Sequence, residues 1–492
     1  MSKVYQKPTK FQTKLFINGK FVDGVLKKTI PVINPASEEL ICEIAEATEQ
    51  DVELAIDAAE AAFPIWSKLP QRDRTEYLLK LASLLEANKE EFIALESLNN
   101  GKPLEGATFD INDVIGHLRY YAGWADKITG KSFSSLDQQI FYTRREPYGV
   151  VGLISPWNFP LMMAEWKYAP ALAAGNCIVL KPSEVTPLTV LRLCELVNEA
   201  GFPPGVFNVV PGYGHVAGVA ITHSKRISKI SFTGSSLVGR KILEASSKTN
   251  IKKVVLELGG KSPVVVFPDA DLDKAAEVAW YGCMFNMGQS CDAGTRLFVH
   301  EDVYDKLLQK LKDYEQNVVI GDSFEVQNSN HGPLVSKLQF DRVMNYITHA
   351  KEVEKLECVM GGEKWGNKGY FIKPTIFVNV DENSKLAREE IFGPVLVVLK
   401  PWKTFDEVIK RANDTSYGLA AYAVTQNAGN VERFVREVKA GSFYINQGAL
   451  SAHQMPFGGY KESGFGKDNG EEGLLEYTQL KSVYYSLPNP MV

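Results

Sequence analysis

The sequence predicts an α/β protein of two units, each built on a largely parallel sheet, with a small β arm apart from both. Three observations carry this. At 492 residues the chain is longer than one ordinary hydrophobic core accommodates. From Gly149 onward, short apolar runs alternate with amphipathic segments, the β-α-β texture of a parallel sheet covered by helices on both faces. A second series of the same kind follows Asp273.

In chain order, a helix opens at Thr48. Thr48-x-x-Asp51 reads as a capping box, and Val52, Ala55, Ile56, Ala59 and Phe63 recur with helical period. Leu78, Leu81 and Leu85 mark a second helix, with Pro64 and Pro70 separating the two. Strands are then expected at 150–154, 177–180, 206–210, 227–232, 254–256 and 264–267, with helices near 161–174, 188–200 and 237–247. The second series gives strands at 295–299, 395–399, 420–425 and 442–445. Two segments fit neither unit. Residues 132–146 alternate polar and apolar without a helical period, and 482–486 form a late β-rich run. An exposed apolar strand edge is a liability in a monomer, so both are expected to be covered.

Composition narrows the function. The hydrophobic fraction of 45% and charged fraction of 23% describe an ordinary soluble chain. A net charge of −5 without a basic stripe argues against nucleic acid as a partner. No apolar run reaches the roughly 18 residues that span a bilayer, so no membrane partner is expected. The first eight residues carry lysines but no apolar stretch behind them, which does not read as a secretory signal. Six scattered cysteines form no C-x-x-C pair, and no histidine cluster has metal-ligand spacing. Reduced thiols, a cytoplasmic location and no metal are the expectations.

One of those thiols sits in a setting unlike the rest. Cys291 lies in Met287-Gly288-Gln289-Ser290-Cys291-Asp292-Ala293-Gly294, among small and polar residues. Glu257 lies upstream in Leu256-Glu257-Leu258-Gly259-Gly260-Lys261-Ser262-Pro263. A thiolate attacks a carbonyl, and the thioester that follows oxidation needs a base to activate water; a carboxylate supplies one. Apolar neighbours would bury Glu257 and raise its pKa toward neutrality; a solvated strand-end glutamate is the plainer alternative. Gly259-Gly260 gives that stretch a mobile backbone.

Two glycine patterns are decoys. Gly212-x-Gly214-x-x-Ala217 matches a dinucleotide fingerprint after a strand, but Pro211 marks it as a connecting loop. Gly260-Lys261-Ser262 resembles a P-loop, yet Val255 stands where the first glycine is required. Gly234-Ser235-x-x-x-Gly239 is the better anion cradle, because it follows a strand and opens a helix whose first amides are free.

These segments resemble the aldehyde dehydrogenase superfamily. Further matching pieces are Ser155-Pro156-Trp157-Asn158-Phe159-Pro160, Lys181-Pro182-Ser183-Glu184, Phe232-Thr233-Gly234-Ser235, Glu390-Ile391-Phe392-Gly393-Pro394 and Pro456-Phe457-Gly458-Gly459-Tyr460-Lys461. In order, they run along nearly the whole chain. The resemblance implies a Rossmann-like cofactor domain at 1–128 and 147–259, a catalytic α/β domain at 260–476, and an oligomerisation arm and tail at 129–146 and 477–492. It implies NAD as cofactor, a small-molecule aldehyde as substrate, and a homodimer or homotetramer in which arm and tail pair with neighbouring subunits.

The resemblance also assigns roles. Cys291 is the nucleophile, Glu257 the base, and Lys167 joins the catalytic set. Asn158 and the Cys291 amide hold the oxyanion, although Asn158 could equally cap the helix after Pro160. Cofactor contacts fall on Ile154, Ser155, Trp157, Lys181, Ser183, Glu184, Gly214, Phe232, Gly234, Ser235, Val238, Leu258, Gly259, Glu390 and Phe392. Glu184 would accept from the ribose 2′-hydroxyl of NAD and repel the 2′-phosphate of NADP. Phe159, Met163, Trp166, Phe285, Asp292 and Phe457 line the aldehyde tunnel, whose apolar walls suit a neutral guest. Asp292 departs from the family, which carries a small neutral or hydroxyl residue or another cysteine there. Beside the thiol an acid opposes thiolate formation; it is either tied into hydrogen bonds or placed at the tunnel mouth to repel carboxylate-bearing aldehydes. Lys253 and Glu476 are expected to pair, without the bidentate fork that arginine would allow. Retention of Glu257 argues against an acyl-CoA-forming variant of the scaffold, and the complete set argues against a non-catalytic binding protein.

Overall fold

The computed structural model describes residues 5–134 and 139–486; residues 1–4 of the N-terminus, 135–138 of the expected arm and 487–492 of the expected tail lie outside the described residues. The first sheet has eight strands in the order Gly464–Phe465, Lys253–Glu257, Lys229–Thr233, Val150–Ile154, Cys177–Lys181, Phe207–Val209, Leu15–Ile17 and Lys20–Val22. The five central neighbours run parallel, and the edges are antiparallel. Every residue of Val150–Ile154, Cys177–Lys181 and Lys229–Thr233 is buried. Both faces are therefore covered, which is why these strands read as continuous apolar runs rather than alternating ones.

Chain order and sheet order diverge at one place. From Val150–Ile154 the chain winds outward through Cys177–Lys181 and Phe207–Val209, then returns to Lys229–Thr233 on the opposite side of Val150–Ile154. The crevice between the C-terminal ends of these two strands is a topological switch point, where open α/β sheets take their ligands.

The second sheet runs Glu357–Met360, Thr375–Val380, Val395–Leu399, Arg296–Val299, Pro263–Val266, Ala420–Val424 and Ser442–Ile445, parallel except for its first strand. Two of these strands, Glu357–Met360 and Thr375–Val380, have no counterpart in the expectations. The strand at 264–267 belongs here, although in sequence it continues the first series. In the other direction, Gly464–Phe465 follows the second sheet in sequence yet adds to the first, and Leu474 and Tyr477 are buried in the first core.

Three local expectations change. The capping box is present, with the Asp51 carboxylate accepting from the Thr48 backbone N–H at 2.8 Å. Pro64, however, sits inside helix Glu49–Trp66, and Pro70 alone separates it from Gln71–Ala87. Fully buried Trp66 anchors that last turn to the core against the loss of one backbone hydrogen bond. Gly214 does not lie in a loop: it opens a π-turn, Gly214–Gly218, that leads into helix Val219–His223. The arm and tail pair with each other inside the chain rather than with a neighbour. Gln139–Pro147 runs antiparallel to Thr478–Ser486, from Thr478 opposite Pro147 to Ser486 opposite Gln139, and Ser132–Phe133 adds a third short strand.

Candidate active site

The expected nucleophile sits on a backbone that has just left a helix. Helix Leu272–Met284 ends on Phe285, and Asn286, Met287 and Gly288 follow with φ of 49°, 55° and 70°. Three successive left-handed residues reverse the chain and deliver Cys291 to a turn in which the Ala293 N–H donates to the Ser290 carbonyl at 3.2 Å. Cys291 is half-buried and lines a cavity of about 850 Å³. It stands at no helix N-terminus. Burial pushes its thiol well up, and the charges that add most to this are the carboxylates of Asp292, Glu257 and Glu390; the Asp292 backbone N–H opposes them. As it stands, the thiol is held in its protonated form.

Glu257 closes strand Lys253–Glu257 and is 2% exposed. Neither carboxylate oxygen has a hydrogen-bond partner. Burial lifts its pKa well above the usual carboxylate range, Asp468 adds to this, and Lys167 opposes it. The solvated-glutamate alternative is thus excluded for this residue. Lys167 does not line the cavity. Its ammonium donates to Asp468 Oδ2 at 2.7 Å, and both side chains are buried.

Asn158 does not cap the following helix. Phe159 occupies that position, Pro160 starts the helix, and no side chain caps it. The Asn158 amide instead donates to the Gln289 carbonyl at 2.9 Å. Buried Lys102 donates to the Asn158 carbonyl at 2.9 Å and pairs with Asp110. Neither Lys102 nor Gln289 announced itself in sequence, since each acts through a backbone carbonyl far along the chain.

Asp292 takes the hydrogen-bonded form. It accepts from the Ser290 hydroxyl at 2.6 Å and from the Tyr444 hydroxyl at 3.2 Å, while still lining the cavity. Burial raises its carboxyl, and these two donors counter that. The other expected wall residues, Phe159, Met163, Trp166, Phe285 and Phe457, line the same cavity. Phe159 stacks on Phe285 at 6.1 Å and Trp166 meets Phe457 edge-on at 5.3 Å. Phe109, Met162, Phe443 and Tyr444 also line it. Tyr444 was within reach of sequence reasoning, because strand 442–445 was expected and successive side chains on a strand alternate in direction.

The residues expected to hold a dinucleotide gather at the C-terminal end of the first sheet. Ile154, Lys181 and Glu257 each end a strand there, and Phe232 is the residue before the last of a fourth. The Ser155 N–H donates to the Lys181 carbonyl at 3.1 Å. Lys181 donates to Glu184 at 3.0 Å and Ser183 accepts from the Val185 N–H at 3.3 Å. Gly234 leads to Ser235, which caps the thirteen-residue helix Ser236–Lys248 by accepting from the Val238 N–H at 3.4 Å. Leu258 donates its N–H to the Ser463 carbonyl at 3.0 Å. Trp157 meets Phe392 edge-on at 5.2 Å, and Phe392 has φ of 60°. Glu390 accepts from the Gly260 N–H at 3.0 Å, and a Cβ on Gly259 would fall 2.5 Å from its carboxylate. Gly214, in its π-turn, has no atom within 4 Å of where a Cβ would be.

The donor set fits a dinucleotide. The helix N-terminus offers amides to a phosphate, and the buried hydroxyls Ser155 Oγ and Thr233 Oγ1 have no partner. Both lie at the switch point described above. The expected pair also forms, with Lys253 Nζ 2.6 Å from Glu476 Oε2. Among the described residues no helix is long and apolar enough to cross a membrane.

Comparison with known proteins agrees with this geometry. Residues 21–483 match the model of the "Aldehyde dehydrogenase family". An aldehyde dehydrogenase of Agaricus bisporus is 49% identical, the alignment covering 98% of this chain and 97% of that protein. The aldehyde dehydrogenase of Bacillus cereus, solved as an NAD+ complex, superposes with a TM-score of 0.95 at 46% identity and 97% coverage of each chain. An indole-3-acetaldehyde dehydrogenase of P. syringae, solved with NAD+ and IAA, gives 0.95 at 38% identity, again with 97% of each chain covered.

Proposed function

This chain belongs to the aldehyde dehydrogenase family, and we propose that it converts an aldehyde, NAD+ and water to the carboxylic acid through a covalent thioester on Cys291. NAD, when bound, supplies the hydride acceptor. Ser155, Lys181, Glu184, Gly234, Ser235, Glu390 and Phe392 are the residues that would hold it. Cys291 bonds to the carbonyl carbon at the floor of the cavity. The Asn158 amide and the Cys291 N–H face the oxygen as its charge develops, and such donors act on the transition state more than on the ground state. Because the thiol is held protonated by burial and three carboxylates, its proton has to leave before attack, and Glu257 is the nearby base that can take it. After oxidation Glu257 takes a proton from the water that hydrolyses the thioester. Lys167 acts through Asp468, restraining the rise in the pKa of Glu257.

The observation that carries this reading is Glu257 itself. A buried carboxylate without any hydrogen-bond partner is unstable as a structural element and suited to a base. The aromatic and methionine wall supports a neutral, apolar aldehyde as guest. The free outer edge of the arm sheet supports a homodimer or homotetramer.

The test is a panel of neutral aldehydes assayed for NADH formation with NAD and with NADP, and with coenzyme A added in a parallel arm. In Glu257→Gln, mass spectrometry should find an acyl adduct on Cys291. No adduct with any reactive aldehyde would remove Cys291 from the role, and an acyl-CoA product would replace water as the acceptor.

A further inference from the structure

A second cluster of ligating side chains stands behind the tunnel wall. Asp113 and His117 lie one turn apart on helix Leu104–Ala122, the i, i+4 spacing that presents two side chains on one face. His453 closes over them from a distant loop. His117 Nδ1 is 3.0 Å from Asp113 Oδ2, and His453 Nε2 is 3.4 Å from Asp113 Oδ1. The ligand atoms of all three lie within 4.8 Å of one another. A Cβ on Gly116 would fall 2.2 Å from His453 Cε1, so the ring rests directly on the helix backbone.

Glu165 supplies an independent observation. It is fully buried on helix Pro160–Ala173, neither of its oxygens has a hydrogen-bond partner, and Oε2 lies 3.8 Å from His117 Nδ1. The charges that act on it are the carboxylates of Asp113 and Asp468. Buried carboxylates are ordinarily paired or bound to a metal. In a tetrahedral site with bonds of about 2.0 Å, ligand atoms stand roughly 3.3 Å apart. The separations of 3.0, 3.4 and 3.8 Å bracket that value.

We propose that Asp113, His117, Glu165 and His453 bind one divalent transition-metal ion, with zinc the best match. Two imidazoles favour zinc over magnesium or calcium, and two carboxylates balance its charge. Four protein ligands leave no open position, which makes the site structural. It fastens both helices to the His453 loop. It also braces the tunnel, because Trp166 Nε1 donates to Asp113 Oδ2 at 3.2 Å, an outer hydrogen bond that fixes the ligand and the wall together.

The full-length protein is loaded with zinc, dialysed, and its metal content measured per chain, with Glu165→Gln and His453→Ala alongside. Cys291→Ser controls for zinc held by the thiol. One zinc per chain is expected in the wild type and in Cys291→Ser, with affinity at least about tenfold weaker in the other two. No zinc in the wild type, equal retention in all variants, or loss in Cys291→Ser each overturns the proposal. If either ligand variant fails to fold, the wild type loaded with cobalt(II) decides. Intense visible bands of tetrahedral cobalt without a sulfur charge-transfer band support the site, and their absence rejects it.

Discussion

The side-chain amide of Asn158 donates to the carbonyl of Gln289 across 2.9 Å. This bond ties the segment after the first sheet's central strand to the turn that carries Cys291, so the two units meet at the reacting atom. An amide nitrogen has two hydrogens, and one remains for a developing oxyanion.

Asn158→Ala should therefore lower kcat by about 10²–10³-fold, the usual effect of losing one oxyanion donor. NAD affinity, measured by fluorescence titration, should change little, because the cofactor contacts lie on other residues. An unchanged kcat would take Asn158 out of the oxyanion site.

Glu257 sets a pH dependence whose sign follows from its raised pKa. The group works as a base only when ionised, so deacylation should fall as pH drops through that raised pKa, with an inflection well above the ordinary value of 4.5. Single-turnover hydrolysis of the trapped acyl-enzyme across pH measures it. Glu257→Gln should remove the inflection and slow hydrolysis at every pH. An inflection that survives the substitution belongs to another group.

Lys167→Met should act twice. It leaves Asp468 buried and unpaired, a change that costs about 3–5 kcal/mol of stability, visible as a lower melting temperature. It also removes a charge that lowers the pKa of Glu257, so the deacylation inflection should move to higher pH. A melting change without that movement would make Lys167 a structural residue only.

Asp292→Asn should make Cys291 more reactive. Burial is the main cause of the thiol's raised pKa, and the Asp292 charge adds to it. Removing that charge lowers the thiol pKa and raises the thiolate fraction at neutral pH. Inactivation by iodoacetamide should therefore be faster in the variant and should reach its plateau at lower pH. Equal rates would show that the hydrogen bonds from Ser290 and Tyr444 already screen the carboxylate.

Much of this arrangement was legible in the linear sequence because it rests on local rules. Parallel strands covered on both faces must be apolar throughout, and helices between them must be amphipathic, so the periodicity alone located most strands of both sheets. The cap at Thr48 and the strand-turn-helix at Gly234 are equally local. Pro64 and Gly214 were misread for the complementary reason. Whether a proline is tolerated in a last turn, or a glycine opens a π-turn, depends on what the segment packs against.

By itself, the sequence determined the fold class, the family and the identity of the thiol and carboxylate, since these are carried by short motifs and by patterns of a few residues. Only the tertiary structure decided which carbonyl orients Asn158, which donors hold Asp292, and that arm and tail pair within the chain. Nor could residue spacing bring His453 to Asp113 and His117, although the sequence gave no metal-ligand pattern there. The physical reason is the same in each case: hydrogen bonds, charges and metal coordination act over a few ångströms of space, however many residues of chain lie between.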